Sequence, residues 1–292
     1  MQRLEPVLPP DAPTNSIAGA QTAPRPDLHR LADAVAEILK VVAARELMPR
    51  FKHVAAERKH DGTIVTAADR AVEAALALAL PTLFNCPVLG EEMPVIVQRK
   101  IWRDAEWFWC VDPLDGTGNF TNGKRYFGIS VALMHHRKSV LGVVFDPNAD
   151  EVFHAVRDAG AYLDGKRLKA APTTHLIDAS VEVGRIKRLG RLRVALVENR
   201  PFRRVSMSGA SVLQWCHVAC GRVDAFIHAG EQPWDYAAGA LILEEAGGRL
   251  ATLLHDDYWR VEHAEADWER SVIAARHPAL FDEWKRWVRS HL

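Results

Sequence analysis

The sequence predicts a mixed α/β (α+β) fold of layered sheets and helices, and three features of its patterning carry that reading. Helical and β-rich segments occur in mixed order, without the strict alternation of a βαβ array. The middle of the chain is a succession of short apolar runs joined by turn residues, and amphipathic helical stretches stand both before and after it. At 292 residues, 48% hydrophobic and 25% charged, the chain can bury one large core or two fused lobes without disulfides or a structural metal.

Residues 1–26 are rich in Pro, Ala and small polar types and read as a disordered tail. From Asp27 to about Met48, Leu28, Leu31, Ala32, Val35, Ile38, Leu39 and Val42 recur at helical spacing. A second helix is expected after Thr66 and runs to about Leu83, stopping near Asn85-Cys86-Pro87. A short apolar strand, Pro87 to Leu89, precedes a compact one from Trp107 to Val111 that ends abruptly at Asp112-Pro113. Strands follow at Tyr126 to Met134, Val140 to Phe145 and Glu151 to Val156, then a hairpin at Gly160 to Leu168 turning on Asp164-Gly165. The second half begins near Ile177. It is read as a buried strand at Leu192 to Val197, a helix at Ala210 to Cys220 and a strand at Val223 to Ile227. A helix from Pro233 to Ala246 is stopped by Gly247-Gly248, and an amphipathic helix from His277 to Leu292 closes the chain.

Composition excludes several function classes. Basic and acidic side chains number 37 each, so the excess cation that duplex nucleic-acid binders use is missing and no nucleic-acid partner is expected. No apolar run of about 18 residues predicts a membrane span, and no basic start followed by an apolar stretch predicts a signal peptide. Four cysteines make no disulfide framework. Cys216 and Cys220 flank His217 at helical spacing, but no second Cys/His pair follows, so they read as core thiols. Reduced thiols point to the cytoplasm.

Four segments carry chemistry. In Asp112-Pro113-Leu114-Asp115-Gly116-Thr117, a hydrophobic strand delivers two carboxylates three residues apart. The Leu114 carbonyl and the Thr117 hydroxyl stand within reach of the same hard cation, and the Gly116 and Thr117 amides are placed to meet a phosphate. The bland alternative is an ordinary Asp/Gly turn. Glu91-Glu92 follows the short strand at Leu89-Gly90, where paired Glu are usually a solvated face. Asp235 lies in the first turn of a helix lined by Ala237, Ala238 and Gly239, a position that the helix dipole alone would favour. Thr66 with Asp69 three residues on resembles a capping box.

Together the segments Val65-Thr66-Ala67-Ala68-Asp69, Gly90-Glu91-Glu92, Asp112 to Phe120, and Trp234-Asp235-Tyr236-Ala237-Ala238-Gly239 resemble the inositol monophosphatase family in order and separation. That resemblance runs from about Asp27 to the C-terminus. It implies a layered α-β-α-β-α sandwich with a metal site between two lobes, 27–176 supplying most ligands and 177–292 supplying Asp235 and the substrate pocket. It further implies a Mg²⁺-dependent phosphomonoesterase for a small phosphorylated, inositol-phosphate-like metabolite, assembled as a homodimer. Glu91 and Asp112 would hold one metal with Thr117 and the Leu114 carbonyl; Asp112, Asp115 and Asp235 would hold a second, in a total of two or three Mg²⁺ ions. Thr117 and Asp69 would orient and deprotonate the attacking water, Gly116 and Thr117 would hold the phosphate, and Lys59 and Glu92 would support the site.

Gly209-Ala210-Ser211 matches the family's hydroxyl-binding region. Where inositol-phosphate enzymes carry a Glu seven residues before the W-D aspartate, this chain has His228, a residue that ordinarily changes charge near neutral pH. His228 is read either as a substrate contact or as a strand cap. The Lys59 to Asp69 stretch also resembles histidinol-phosphate phosphatases, which makes that substrate the alternative. Relatives acting on fructose 1,6-bisphosphate, adenosine 3′,5′-bisphosphate or NADP stand behind it. Some bacterial members bind the transcription machinery, so a regulatory role is the alternative from another class.

Overall fold

A computed structural model describes residues 26–58, 64–169, 175–260 and 268–292. The expected tail, apart from Pro26, and Lys59 lie outside the described residues. Helix α1 (Leu28–Val42) starts at Asp27, whose carboxylate accepts from the Arg30 amide, and continues into a π-helical turn at Ala43–Leu47. Strands β1 (Glu57–Arg58) and β2 (Ile64–Val65) form a small antiparallel pair leading into α2 (Ala67–Leu83). Next come β3 (Val88–Gly90), α3 (Val95–Asp104), β4 (Trp107–Asp115) and the short α4 (Thr117–Thr121). An antiparallel run follows: β5 (Gly128–His135), β6 (Lys138–Asp146), β7 (Glu151–Val156), β8 (Gly160–Leu163) and β9 (Lys166–Arg167).

The second half holds β10 (Ser180–Gly184), α5 (Leu192–Glu198), β11 (Arg204–Ser206), α6 (Ser211–Ala219) and β12 (Ala225–Glu231). It ends with α7 (Pro233–Glu245), β13 (Arg249–Thr252), β14 (Arg270–Ala275) and α8 (Pro278–Arg289). Strands β3 to β9 make a seven-stranded sheet in sequence order, parallel only at β3–β4. The other large sheet runs β11-β10-β12-β14-β13, with β10 parallel to both neighbours.

Strand periodicity explains the layering. Along β4, Trp109 and Val111 point into a core shared with the first two helices, which contribute Val35 and Leu39 from α1 and Val72 and Leu76 from α2. Phe108 and Cys110 point the other way, into a core with α6, α7 and the inner face of the five-stranded sheet. The outer face of that sheet, through Val181, Val183, Ile227 and Ile273, packs on α5 and α8. The result is the expected α-β-α-β-α stack. Helix α7 is the central piece: from Pro233 to Leu243 every residue is buried, as a helix walled in on all sides must be. Its small residues face protein, not a ligand. A Cβ on Gly239 would lie 2.4 Å from Trp215 Cβ, and one on Gly142 of β6 would lie 2.8 Å from the Ala238 backbone.

One reading of secondary structure needs correction, and several elements were not expected. Leu192 to Val197 is helical, because Leu192, Ala195 and Leu196 are buried at helical spacing while Val194 and Val197 are 50% and 59% exposed. Helix α3 and strands β10, β11, β13 and β14 have no counterpart among the expected elements. In α3, Val95 and Ile96 are exposed and Gln98 is buried, which inverts the usual apolar pattern. Cys216 is buried and Cys220 half-buried, and burial raises both thiols. Neither belongs to a potential metal-ligating group among the described residues.

Candidate active site

The carboxyl end of β4 is where the sheet's regularity breaks. Asp112 pairs with Ser130 and Asp115 with Gly128, and the register shifts between them, so a bulge at Pro113-Leu114 separates two acids that both line one cleft. Asp112 Oδ1 accepts the Leu114 amide at 3.0 Å, which fixes the turn locally. Gly116 then adopts φ +88°, and a Cβ there would approach Ala210 Cβ and the Tyr126 carbonyl at 3.0 Å. Thr117 opens α4, with its Oγ1 3.0 Å from the Leu114 carbonyl and 3.1 Å from Asp69 Oδ1.

Asp69 is held by the start of α2. Its Oδ2 accepts the Thr66 amide at 2.8 Å and the Thr66 hydroxyl at 2.6 Å, closing the capping box. Asp235 occupies the same N3 position in α7, where its Oδ2 accepts the Gln232 amide at 2.9 Å. The buried start of α7 thereby brings Asp235 beside β4. Carboxylate oxygens of Asp112, Asp115 and Asp235 all lie within 4.8 Å of one another. Asp115 Oδ2 also accepts the Val212 amide at 2.8 Å, tying this triple to α6.

Glu91, half-buried, lies outside that triple but close enough to act on Asp112. The loop carrying it is held from α3, whose Gln98 Nε2 donates to the Gly90 carbonyl at 2.7 Å and the Glu91 carbonyl at 3.0 Å. Glu92 does not line the cleft; its amide donates to Glu73 Oε2 at 2.8 Å.

Electrostatically the cluster is under strain. Burial, with Glu91, Asp115 and Asp235 adding repulsion, pushes Asp112 well above the carboxylate range. Burial and Asp235 push Asp115 up to about 7, against the Val212 hydrogen bond. Burial also raises Asp235, although the Arg185 guanidinium pulls it back. Asp69 is raised by burial alone, with hydrogen bonds from Thr66 and Thr117 opposing. A set of oxygen donors whose ionised forms repel one another fits a hard divalent cation.

The cleft has a volume of about 670 Å³. Of the residues singled out in the sequence, Glu91, Asp112, Leu114, Asp115, Gly116, Thr117, Gly209, Ala210, Ser211, His228 and Asp235 all line it. Asp69 reaches it through Thr117. His228 sits within β12, 6% exposed, against Gly184, where a Cβ would strike its ring. It is no strand cap. Burial drives its imidazole down to about 3, with Arg185 and Arg188 adding, so the ring is neutral and undergoes no charge change near neutral pH.

Sequence reasoning missed the opposite wall, Gly184 to Arg188, which carries Arg185, Lys187 and Arg188. The only signal was a basic run between glycines. It also missed Glu231, fully buried, bonded to Trp215 Nε1 at 3.2 Å and raised by burial.

Residues 27–284 match the inositol monophosphatase family. Among curated proteins, inositol monophosphatase 2 of Solanum lycopersicum is 39% identical over 68% of this chain and 77% of its own length. Nus factor SuhB of Pasteurella multocida is 34% identical over 63% of this chain and 72% of its own. Among solved structures, the IMPase of Thermotoga maritima superposes with a TM-score of 0.75 at 27% identity, covering 90% of this chain and 97% of that one.

Proposed function

This chain belongs to the inositol monophosphatase family of phosphomonoesterases, and on that premise we propose that it hydrolyses a small phosphorylated, inositol-phosphate-like metabolite with the help of Mg²⁺. The carrying observation is the triple of buried Asp112, half-buried Asp115 and buried Asp235 beside the Thr117–Asp69 pair. Glu91 and Asp112, with the Leu114 carbonyl and Thr117, would hold one ion; Asp112, Asp115 and Asp235 would hold another, of two or three in all. Bound Mg²⁺ would supply positive charge to the phosphoryl oxygens and make a water more acidic.

The chain's own residues do the rest. The Thr117 hydroxyl lies between the Leu114 carbonyl and Asp69 Oδ1, so it can receive a proton from water and pass its own to Asp69. Burial makes Asp69 a stronger base than an exposed Asp, and its two bonds from Thr66 hold it in position. The Gly116 and Thr117 amides would hold the phosphate, with Asp115 and Asp235 beside it. Gly209, Ala210, Ser211 and neutral His228 would meet the alcohol part of the substrate through hydrogen bonds. Phosphoryl transfer asks mainly for such positioning and charge. The cationic wall of Arg185, Lys187 and Arg188 favours an anionic or polyol substrate over the amine of histidinol phosphate, which is the alternative.

The test is phosphate release from inositol 1-phosphate, histidinol phosphate, fructose 1,6-bisphosphate, adenosine 3′,5′-bisphosphate and NADP. Each is run with Mg²⁺, with EDTA and with the Asp112→Asn protein. Turnover that needs Mg²⁺ and disappears in the variant supports the reading. Turnover that survives either change sinks it.

Similarity to a protein named Nus factor SuhB motivates a second reading, a regulatory partner of the transcription machinery. Polymerase capture that persists in Asp112→Asn would support it alongside catalysis. A cytoplasmic homodimer completes the proposal, and mass measurement in solution tests the assembly. No described helix is long and apolar enough to cross a membrane.

A further inference from the structure

At the other end of β4 stands a donor set of different chemistry. Glu106 immediately precedes the strand, and Trp107 pairs directly across the ladder with His135, the last residue of β5. The Trp107 and His135 rings stack with centroids 4.0 Å apart and planes 20° apart, which fixes the imidazole. The β5–β6 connection is the two-residue turn His136-Arg137, since His135 pairs with Lys138. Both turn residues have positive φ, 47° and 61°, the requirement of the tight hairpin turn that Asn and Gly usually meet.

Other contacts hold this turn in place. The His136 amide donates to the Glu106 carbonyl at 2.8 Å. Arg137 Nη1 donates to the Arg103 carbonyl at 3.2 Å, at the end of α3. The turn therefore presents two imidazoles to one carboxylate. His135 Nε2 is 3.2 Å and His136 Nε2 3.8 Å from the same Glu106 Oε1, and the rings themselves are 4.3 Å apart.

We propose that Glu106, His135 and His136 form a metal site for a borderline divalent ion of the Zn²⁺ class. Two imidazolium ions beside one carboxylate oxygen would repel each other, so an ion-pair role explains one histidine but not both. Four ligands at about 2.0–2.1 Å from a tetrahedral ion lie about 3.3–3.4 Å from one another. The observed separations of 3.2 and 3.8 Å bracket that value, and the ligand atoms of all three side chains lie within 4.8 Å. Two nitrogens and one carboxylate oxygen select Zn²⁺, Cu²⁺ or Ni²⁺ over Mg²⁺, which prefers oxygen. The His136 and Glu106 side chains are 67% and 62% exposed, leaving solvent to complete the coordination sphere. Trp107, beside this site, stands five residues along β4 from Asp112, about 17 Å at strand rise, so this site and the carboxylate cleft are separable.

The experiment is calorimetric titration of Zn²⁺ into protein kept in saturating Mg²⁺, for the unmodified chain, His136→Ala and Glu106→Gln. Mg²⁺ occupies the oxygen site, and His136 is exposed enough to be removed without loss of fold, as circular dichroism checks. The expected result is one fewer Zn²⁺ bound in His136→Ala, or affinity weaker by about tenfold or more, with a smaller loss in Glu106→Gln. Titration with Co²⁺ should give a visible d–d band that His136→Ala lacks. Mg²⁺-dependent phosphate release should stay within about twofold of the unmodified enzyme, since no cleft residue changes. The same Zn²⁺ stoichiometry and affinity in His136→Ala as in the unmodified chain, or no Zn²⁺ bound in the presence of Mg²⁺, would overturn the site.

Discussion

Helices α2 and α7 begin in the same way and serve the cleft differently. Each opens with a capping box whose N3 residue is an aspartate, Asp69 after Thr66 and Asp235 after Gln232. Asp69 takes three hydrogen bonds, from the Thr66 amide, the Thr66 hydroxyl and the Thr117 hydroxyl. Asp235 takes one capping amide and otherwise faces Asp112 and Asp115. One motif thus makes a proton acceptor when its partners are hydroxyls and a cation ligand when its partners are other carboxylates. The cap alone cannot tell the two apart.

Removing one acid at a time tests this contrast most strongly. Asp235→Asn should weaken Mg²⁺ binding and lower turnover at limiting Mg²⁺ by about 10³-fold, with excess Mg²⁺ restoring part of it. Asp69→Asn should leave the Mg²⁺ affinity within about twofold while kcat falls by about 10²–10⁴. Calorimetry paired with phosphate release reads both, and equal loss of Mg²⁺ affinity in the two variants would erase the distinction.

The hydroxyl that separates the two acids comes next. Thr117→Ala should cost about 10²-fold in kcat and less in Mg²⁺ affinity, and Thr117→Ser should recover most of it. Failure of the serine to rescue would show that the methyl, not the hydroxyl, was being used.

A third effect is on stability. Asp115 and Asp235, pushed up to about 7 and about 6, ionise at higher pH in the fold than in the unfolded chain. The folded state therefore holds more protons between about pH 4 and 7, and metal-free stability falls as pH rises through that window. Thermal unfolding in EDTA should drop by roughly 5 °C across it, and saturating Mg²⁺ should remove the dependence. A flat profile in EDTA would mean that the cluster is not repulsive.

Smallest are the caps themselves. Thr66→Ala should cost about 1 kcal/mol, a few degrees of Tm, and Gln232→Ala less, because Gln is a weaker cap than Thr. Thr66→Ala should also lower kcat, since it removes one of the bonds positioning Asp69. Unchanged kcat with lowered Tm would leave Thr66 a purely structural residue.

What could be read from the chain alone was short-range. Asp112 to Thr117, the Thr66–Asp69 box and the first turn of α7 each depend on neighbours within a few residues, so spacing and residue type marked them as candidates. Their joint resemblance to one family set them above a turn, a cap and a helix start. The strands of the seven-stranded sheet and the long helices followed from periodicity for the same reason, whereas β10, β11, β13 and β14 of the other sheet had no expected counterpart. What tertiary structure decided was every relation across the chain. Gln98 positions Glu91 from a helix whose exposed valine and isoleucine hid its pattern. Parallel pairing of β10 with β12 sets Arg185 beside His228, and burial between the sheets, not sequence, makes that histidine neutral. The helix at Leu192 forms because one face of it meets α8 and the outer sheet, a contact invisible in seven residues. Glu106 and His135 are brought together by strand register alone. Local patterns specify backbone shape and which acids are available. Only long-range packing sets what surrounds them, and with it their charge, their partners and their chemistry.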